Sequence, residues 1–76
     1  MERDEIFAVF AKNMRYYRKQ RGLSQSELAV QIGVDTRQIG RIEQRVNAPS
    51  IILSYHIAQA LGITVNDLLK PNEKTQ

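Results

Sequence analysis

A chain of 76 residues carrying 11 Lys and Arg against 8 Asp and Glu has a net charge of +3 and the length of one domain with a modest core. The absence of cysteine excludes a disulfide framework and a thiolate metal site, and a zinc site built on the single histidine, His56, would need carboxylates for its other ligands. No apolar run approaches the ~20 residues that span a bilayer, so no membrane partner is expected.

The charge is unevenly placed. Between Lys12 and Arg45 stand eight basic and three acidic residues, whereas the rest of the chain has three basic and five acidic ones. A concentrated basic segment suits a polyanion, whose affinity comes largely from phosphate neutralisation and counterion release. The acidic, polar start at Glu2–Glu5 does not read as a signal peptide, and a soluble cytoplasmic protein is expected.

The spacing predicts a first helix from Asp4 to Gln20, with Asp4 or a neighbour as its cap. Ile6, Phe10, Met14 and Tyr17, with Phe7 beside them, form its apolar stripe, and Gly22 ends it. Ile6, Phe7 and Val9 bring more apolar surface than one stripe requires. They either tuck onto the core or meet a second subunit. Ser24 and Glu27 stand at capping-box spacing and open a second helix, with Leu28, Ala29 and Ile32 inward and Gly33 as its left-handed end.

Asp35 caps a third helix, with Gln38 placed to complete a second box and Ile39 and Ile42 as its inward stripe. Small Ala29 lets this helix cross the second one closely. Thr36, Arg37, Gly40, Arg41 and Gln44 then share the outward face, with no carboxylate among them. An arginine fork matches guanine O6 and N7, a glutamine amide matches adenine N6 and N7, and a helix with such a face can enter a major groove.

Gln44–Pro49 reads as a loop. Pro49 and Ser50 start a fourth helix over Ile51–Leu61, with Ile51, Ile57, Ala58 and Leu61 inward, Ile52 and Leu53 toward solvent, and His56 on the surface. Gly62 closes it. Thr64 and Asp67 repeat the capping-box spacing and start a fifth helix that buries Val65, Leu68 and part of Leu69. Pro71 forbids continuation, and residues 71–76 read as a flexible polar tail. The expected architecture is all-α, one domain over residues 1–76 with a core at about 10–69 and residues 1–8 extending the first helix.

The pieces MRYYRKQRGLSQSELAVQIGV, RQIGRIE, NAPS and IAQALGITVNDLL, in this order, resemble the Xre/Cro-repressor type of helix-turn-helix domain over about four-fifths of the chain. The resemblance implies a compact five-helix lambda-repressor-like fold, its helix-turn-helix made by the second and third helices, and double-stranded DNA as partner. Chemistry and resemblance together assign base contacts to Thr36, Arg37, Gly40 and Arg41. Phosphate contacts fall to Arg15, Lys19 and Arg21 around the end of the first helix, and to Gln38, Gln44, Arg45 and Asn47. Gln25 joins them because, in similar proteins, a glutamine there binds a phosphate at the start of the second helix. Arg18 and Glu43 stand where similar repressors pair an arginine of the first helix with a glutamate of the third, which implies a structural ion pair setting the angle between the two.

The sequence departs from the family pattern at three places. Gly40 stands where serine is common, either to let the backbone approach the bases or as a small residue at a tolerant site. Arg45 stands where glycine is usual, so the helix cap is expected at Asn47 or in an irregular turn. Ser54 stands where leucine is usual, leaving Leu53 or Tyr55 to compensate.

No Ser–His–acid set, metal cluster or phosphate-cradling glycine loop is visible, and few apolar residues remain to line a pocket. Neither enzyme activity, cofactor nor small-molecule substrate is expected. The leading expectation is a sequence-specific regulator, a repressor or autoregulator, acting as a homodimer on a palindromic operator. Phage Cro-type repressor, restriction–modification controller and antitoxin all suit this length. The second reading is a protein-interaction module that keeps the fold and turns its third helix toward a protein partner. Acidic or apolar residues at 36, 37 and 41 would favour that reading, and the chain has none there.

Overall fold

In the computed structural model, which describes residues 1–75, the chain forms five α-helices. They are α1 (Arg3–Gln20), α2 (Gln25–Ile32), α3 (Thr36–Glu43), α4 (Ile51–Leu61) and α5 (Val65–Leu69), followed by a 3₁₀ turn at Glu73–Thr75. At 1.5 Å per residue, α1 is about 27 Å long. The longest extent of the molecule is 31 Å, so α1 is a spine, and α3, α4 and α5 all pack along it.

The helix ends are set by local chemistry. Ser24 Oγ accepts from the Glu27 N–H at 3.0 Å and Glu27 Oε1 accepts from the Ser24 N–H at 2.9 Å, a complete capping box at the start of α2. Thr64 and Asp67 repeat it at α5, with both bonds at 3.0 Å. Ser50 caps α4 through the Leu53 N–H. Asp35 caps α3 by accepting from the Arg37 N–H at 2.8 Å, but the reciprocal half expected from Gln38 is not formed. The cap of α1 is Glu2, through backbone alone, and Asp4 lies inside the first turn, where its charge favours the helix N-terminus.

One apolar cluster joins all five helices: Phe10 and Met14, Leu28 and Ala29, Ile39 and Ile42, Ile57, Ala58 and Leu61, and Leu68. Ala29 is buried beneath α3, which allows the close crossing of α2 and α3. Two positions differ from the helical spacing. Ile51, expected inward, is 88 % exposed, because the first residue of α4 projects beyond the body. Ile6 lies at the edge of the α1 stripe and is exposed, while Phe7 packs half-buried against the core. At the serine position of α4, Ser54 is buried with its hydroxyl donating to the Ser50 carbonyl at 2.8 Å, and Leu53 supplies the apolar contact.

Asn13 is a buried polar residue that periodicity passes over. Its Nδ2 donates to the carbonyls of Asp67, Leu68 and Lys70 at 3.2, 2.9 and 2.8 Å, which satisfies the free carbonyls at the end of α5. Its Oδ1 accepts from Thr75 Oγ1 at 3.3 Å, and Asn72 Nδ2 donates to Tyr17 OH at 3.4 Å. The tail expected to be flexible therefore turns back onto α1 through residues 72–75, and Gln76 lies outside the described residues.

Asn13→Ala is expected to lower stability by about 1–3 kcal/mol, because the carbonyls of α5 lose their donor in a buried setting; urea unfolding measures it. The backbone N–H groups and then the hydroxyls of Ser24 and Thr64 hold the Glu27 and Asp67 carboxyls below their ordinary pKa values. A depressed folded-state pKa gives stability that is complete above the unfolded carboxylate pKa and is lost as pH falls through the folded one. The urea midpoint should hold from pH 7 to about 5 and fall below it. A Glu27→Gln/Asp67→Asn variant should lose less on the same acidification.

Candidate nucleic-acid interface

The core decides which side of α3 faces out. Ile39 is fully buried and Ile42 is 1 % exposed, so the helix cannot roll without exposing both. Thr36, Arg37, Gln38 and Arg41 are consequently exposed, with Gly40 half-buried among them. Thr36 Oγ1 lies 3.5 Å from Ser26 Oγ, so the first turns of α2 and α3 meet. A cleft of about 390 Å³ runs beside the exposed face, lined by Arg37, Gln38 and Arg41 of α3, Asn47 and Pro49 of the following loop, and the cap Ser50 of α4. Two guanidiniums and two amides thus meet the N-terminal end of a helix, whose free N–H groups and dipole favour an anion. The cap carboxylate of Asp35 also lines this cleft and is held by the Arg37 N–H.

Beneath that surface lies the ion pair implied by Arg18 and Glu43. Arg18 Nε donates to Glu43 Oε2 at 2.8 Å and Nη2 to Oε1 at 3.0 Å, a two-pronged contact between side chains only 9 % and 5 % exposed. Arg18 Nη1 donates to the Leu23 carbonyl at 2.8 Å. Gln25 Nε2 donates to Glu43 Oε1 at 3.1 Å, and Gln25 Oε1 lies 3.4 Å from where a Cβ on Gly40 would stand. The Gln25 amide therefore crosses from the start of α2 onto α3. The sequence offered one signal for this contact: a glycine on α3 where a side chain would fill the space.

Arg45 takes the left-handed conformation itself, with φ 61. Its N–H reaches the Ile42 carbonyl at 3.0 Å, and the Val46 N–H reaches the Arg41 carbonyl at 2.8 Å, the two bonds of a Schellman end. The expectation of a cap at Asn47 is thereby corrected: the turn keeps the geometry suited to glycine and places an arginine in it, at a cost of about 1–2 kcal/mol. Gln44 and Arg45 share a second, shallow cleft with Asp4 and Phe7 at the start of α1, apart from the Arg37–Arg41 cleft.

The basic residues of α1 divide. Arg15 and Lys19 are exposed and sit about 60° and 100° round the helix from Arg18, so they share one flank beside the buried guanidinium. Arg21 turns elsewhere. Its Nη1 lies 2.9 Å from where a Cβ on Gly62 would stand, at the C-terminal end of α4, where a cation meets free carbonyls. With α4 about 16 Å long, this is the opposite end from Ser50 and the cleft.

Residues 14–68 match the helix-turn-helix family model HTH_3. An uncharacterized HTH-type transcriptional regulator of Methanothermobacter thermautotrophicus is 45 % identical over 49 residues, 64 % of this chain and 71 % of the relative. The crystal structure of a hypothetical transcription factor from Neisseria superposes with a TM-score of 0.87 at 32 % identity, over 97 % of this chain and 85 % of the other. The restriction–modification controller protein C.AhdI of Aeromonas hydrophila gives 0.78 at 31 % identity, over 82 % and 94 %.

Arg45→Gly is expected to raise stability by about 1 kcal/mol, since glycine adopts the left-handed conformation without a Cβ penalty. A shift of the urea midpoint to higher concentration with unchanged slope checks it.

Proposed function

We propose, on the premise that this chain belongs to the HTH_3 helix-turn-helix family of transcriptional regulators, that it is a sequence-specific repressor or autoregulator that binds a palindromic operator as a dimer. The observation that carries this reading is the orientation of α3: Ile39 and Ile42 are sunk into the core while Thr36, Arg37 and Arg41 project outward, with no carboxylate of α3 beside them. In the major groove, Arg37 and Arg41 offer paired N–H groups to guanine, and Thr36 offers a hydroxyl and a methyl. Gln38, Asn47 and the start of α4 line the adjoining cleft and suit the phosphate backbone. Arg15, Lys19, Gln44 and Arg45 supply further phosphate contacts in this reading, and residues 10–69 form the unit that binds.

A single small module buries little surface on DNA, so useful affinity needs two copies on a two-fold site. A groove of about 590 Å³ between the start of α1, the loop after α3, and α4 and α5 supports self-association. It is lined by Ile6, Val46, Ile51 and Leu69, all exposed in the single chain, with Arg3 and Asp4 beside them. A two-fold contact brings each such patch onto its copy, where the Arg3 and Asp4 charges are self-complementary. Among the described residues no helix is long and apolar enough to cross a membrane, and a cytoplasmic site of action, beside the DNA, is part of the proposal.

Selection of bound fragments from a random-sequence duplex pool, followed by binding over a salt series, tests the reading. An enriched palindrome and a steep loss of affinity with salt are expected; no enrichment together with a flat salt response would sink it. On the selected site, Arg37→Ala should cost about 1–3 kcal/mol and relax base preference, whereas Lys19→Ala should weaken all sequences alike and lessen the salt slope by about one. If the two variants behave alike, Arg37 does not read bases.

A further inference from the structure

We infer that Gln25 is a specificity-determining residue that presents its amide oxygen to an exocyclic amino group of a base, cytosine N4 or adenine N6, from a seat made by Gly40. The inference rests on the DNA-binding reading above and departs from the phosphate role expected for this glutamine. A carboxamide has a donating and an accepting end, and which end faces outward decides what it can bind.

Here the chemistry of the neighbours settles the orientation. Glu43, paired with Arg18, can only accept, so the Gln25 NH₂ must point inward to it, as the 3.1 Å bond shows. The oxygen is then forced to the other side, over Gly40. Gly40 belongs to the exposed face of α3, four residues after Thr36 and three after Arg37. The Gln25 oxygen therefore joins the row of groups on the helix that enters the groove, although the residue belongs to α2. Among the described residues no protein donor occupies that oxygen, and the network below it leaves no freedom for the amide to flip without setting oxygen against carboxylate.

A phosphate offers only acceptors, so it has no use for an outward carbonyl oxygen. Of the groups on base edges in the major groove, only cytosine N4 and adenine N6 donate. The remaining side chains of the α3 face that can read bases include two arginines, which donate and thus choose acceptors such as guanine O6 and N7. Gln25 adds the complementary preference. Gly40 makes it reachable: a Cβ there would only touch the amide oxygen at 3.4 Å, but any longer side chain would occupy its place.

The test compares the wild-type chain with Gln25→Ala, Gly40→Leu and the double variant in the random-duplex selection, with melting curves recorded for each variant. Gln25→Ala is expected to keep the operator except at one base pair of each half-site, where a preference for C or A falls roughly fivefold to tenfold. Gly40→Leu, which retains the glutamine and fills its seat, is expected to relax the same base pair. Adding Gln25→Ala to Gly40→Leu should then change nothing further at that position. Equal weakening on every sequence with all preferences intact overturns the inference and returns Gln25 to the phosphates, leaving the DNA-binding reading in place. Enrichment of no sequence by the wild type overturns both.

Discussion

A single guanidinium holds the frame of this small protein. Arg18 leaves the spine helix α1, grips both oxygens of Glu43 at the end of α3 and takes the Leu23 carbonyl just before α2. Removing two opposite charges from water costs as much as their attraction returns, so such a pair is poor evidence of stability. Its worth here is geometric. A planar fork with fixed bond directions admits one relative placement of α1 and α3. Ile39 and Ile42 fix the roll of α3 from the apolar side. The exposed arginines are aimed by these two constraints together, and no feature of the arginines themselves aims them.

The same pair reaches the surface through Gln25, whose amide hydrogen bonds to Glu43. One buried carboxylate thereby serves two helices and links the packing of α1 to the outermost layer of side chains. Around this centre the helices are short. Eight residues in α2, eight in α3 and five in α5 fall below the length at which a helix persists alone in water. Their side-chain caps and buried stripes supply what length does not. Arg45 runs the other way: it accepts a backbone conformation unfavourable to it and keeps a cation in the loop.

What the sequence made legible was local. Ser24 with Glu27, Thr64 with Asp67, and Gly33 and Gly62 act within four residues of themselves, so spacing alone located the ends of α2, α4 and α5. The inward Ile39 and Ile42, and hence the exposed face of α3, followed from helical period for the same reason. Much of what spacing did not show lies where distant segments meet. Asn13 bonds to residues 54 to 57 positions away, beyond any periodic signal. Ile51 fits an inward period, but the period does not say where the body of the protein stops. Arg45 kept the Schellman turn because two backbone hydrogen bonds outweigh a side chain's distaste for it. Arg21 was grouped with its basic neighbours by charge, yet its side chain rests against Gly62 at the C-terminal end of α4.

The clamp of Asn13 on α5 bears on the order in which the chain assembles. Five residues offer barely more than one turn, and three of the carbonyls at or just beyond their end accept from a side chain more than fifty positions earlier in the sequence. Beyond its own capping box, α5 draws the donor for these carbonyls and the apolar floor under Leu68 from its packing on α1. The α5 segment is therefore a latecomer in folding, because its structure waits on α1.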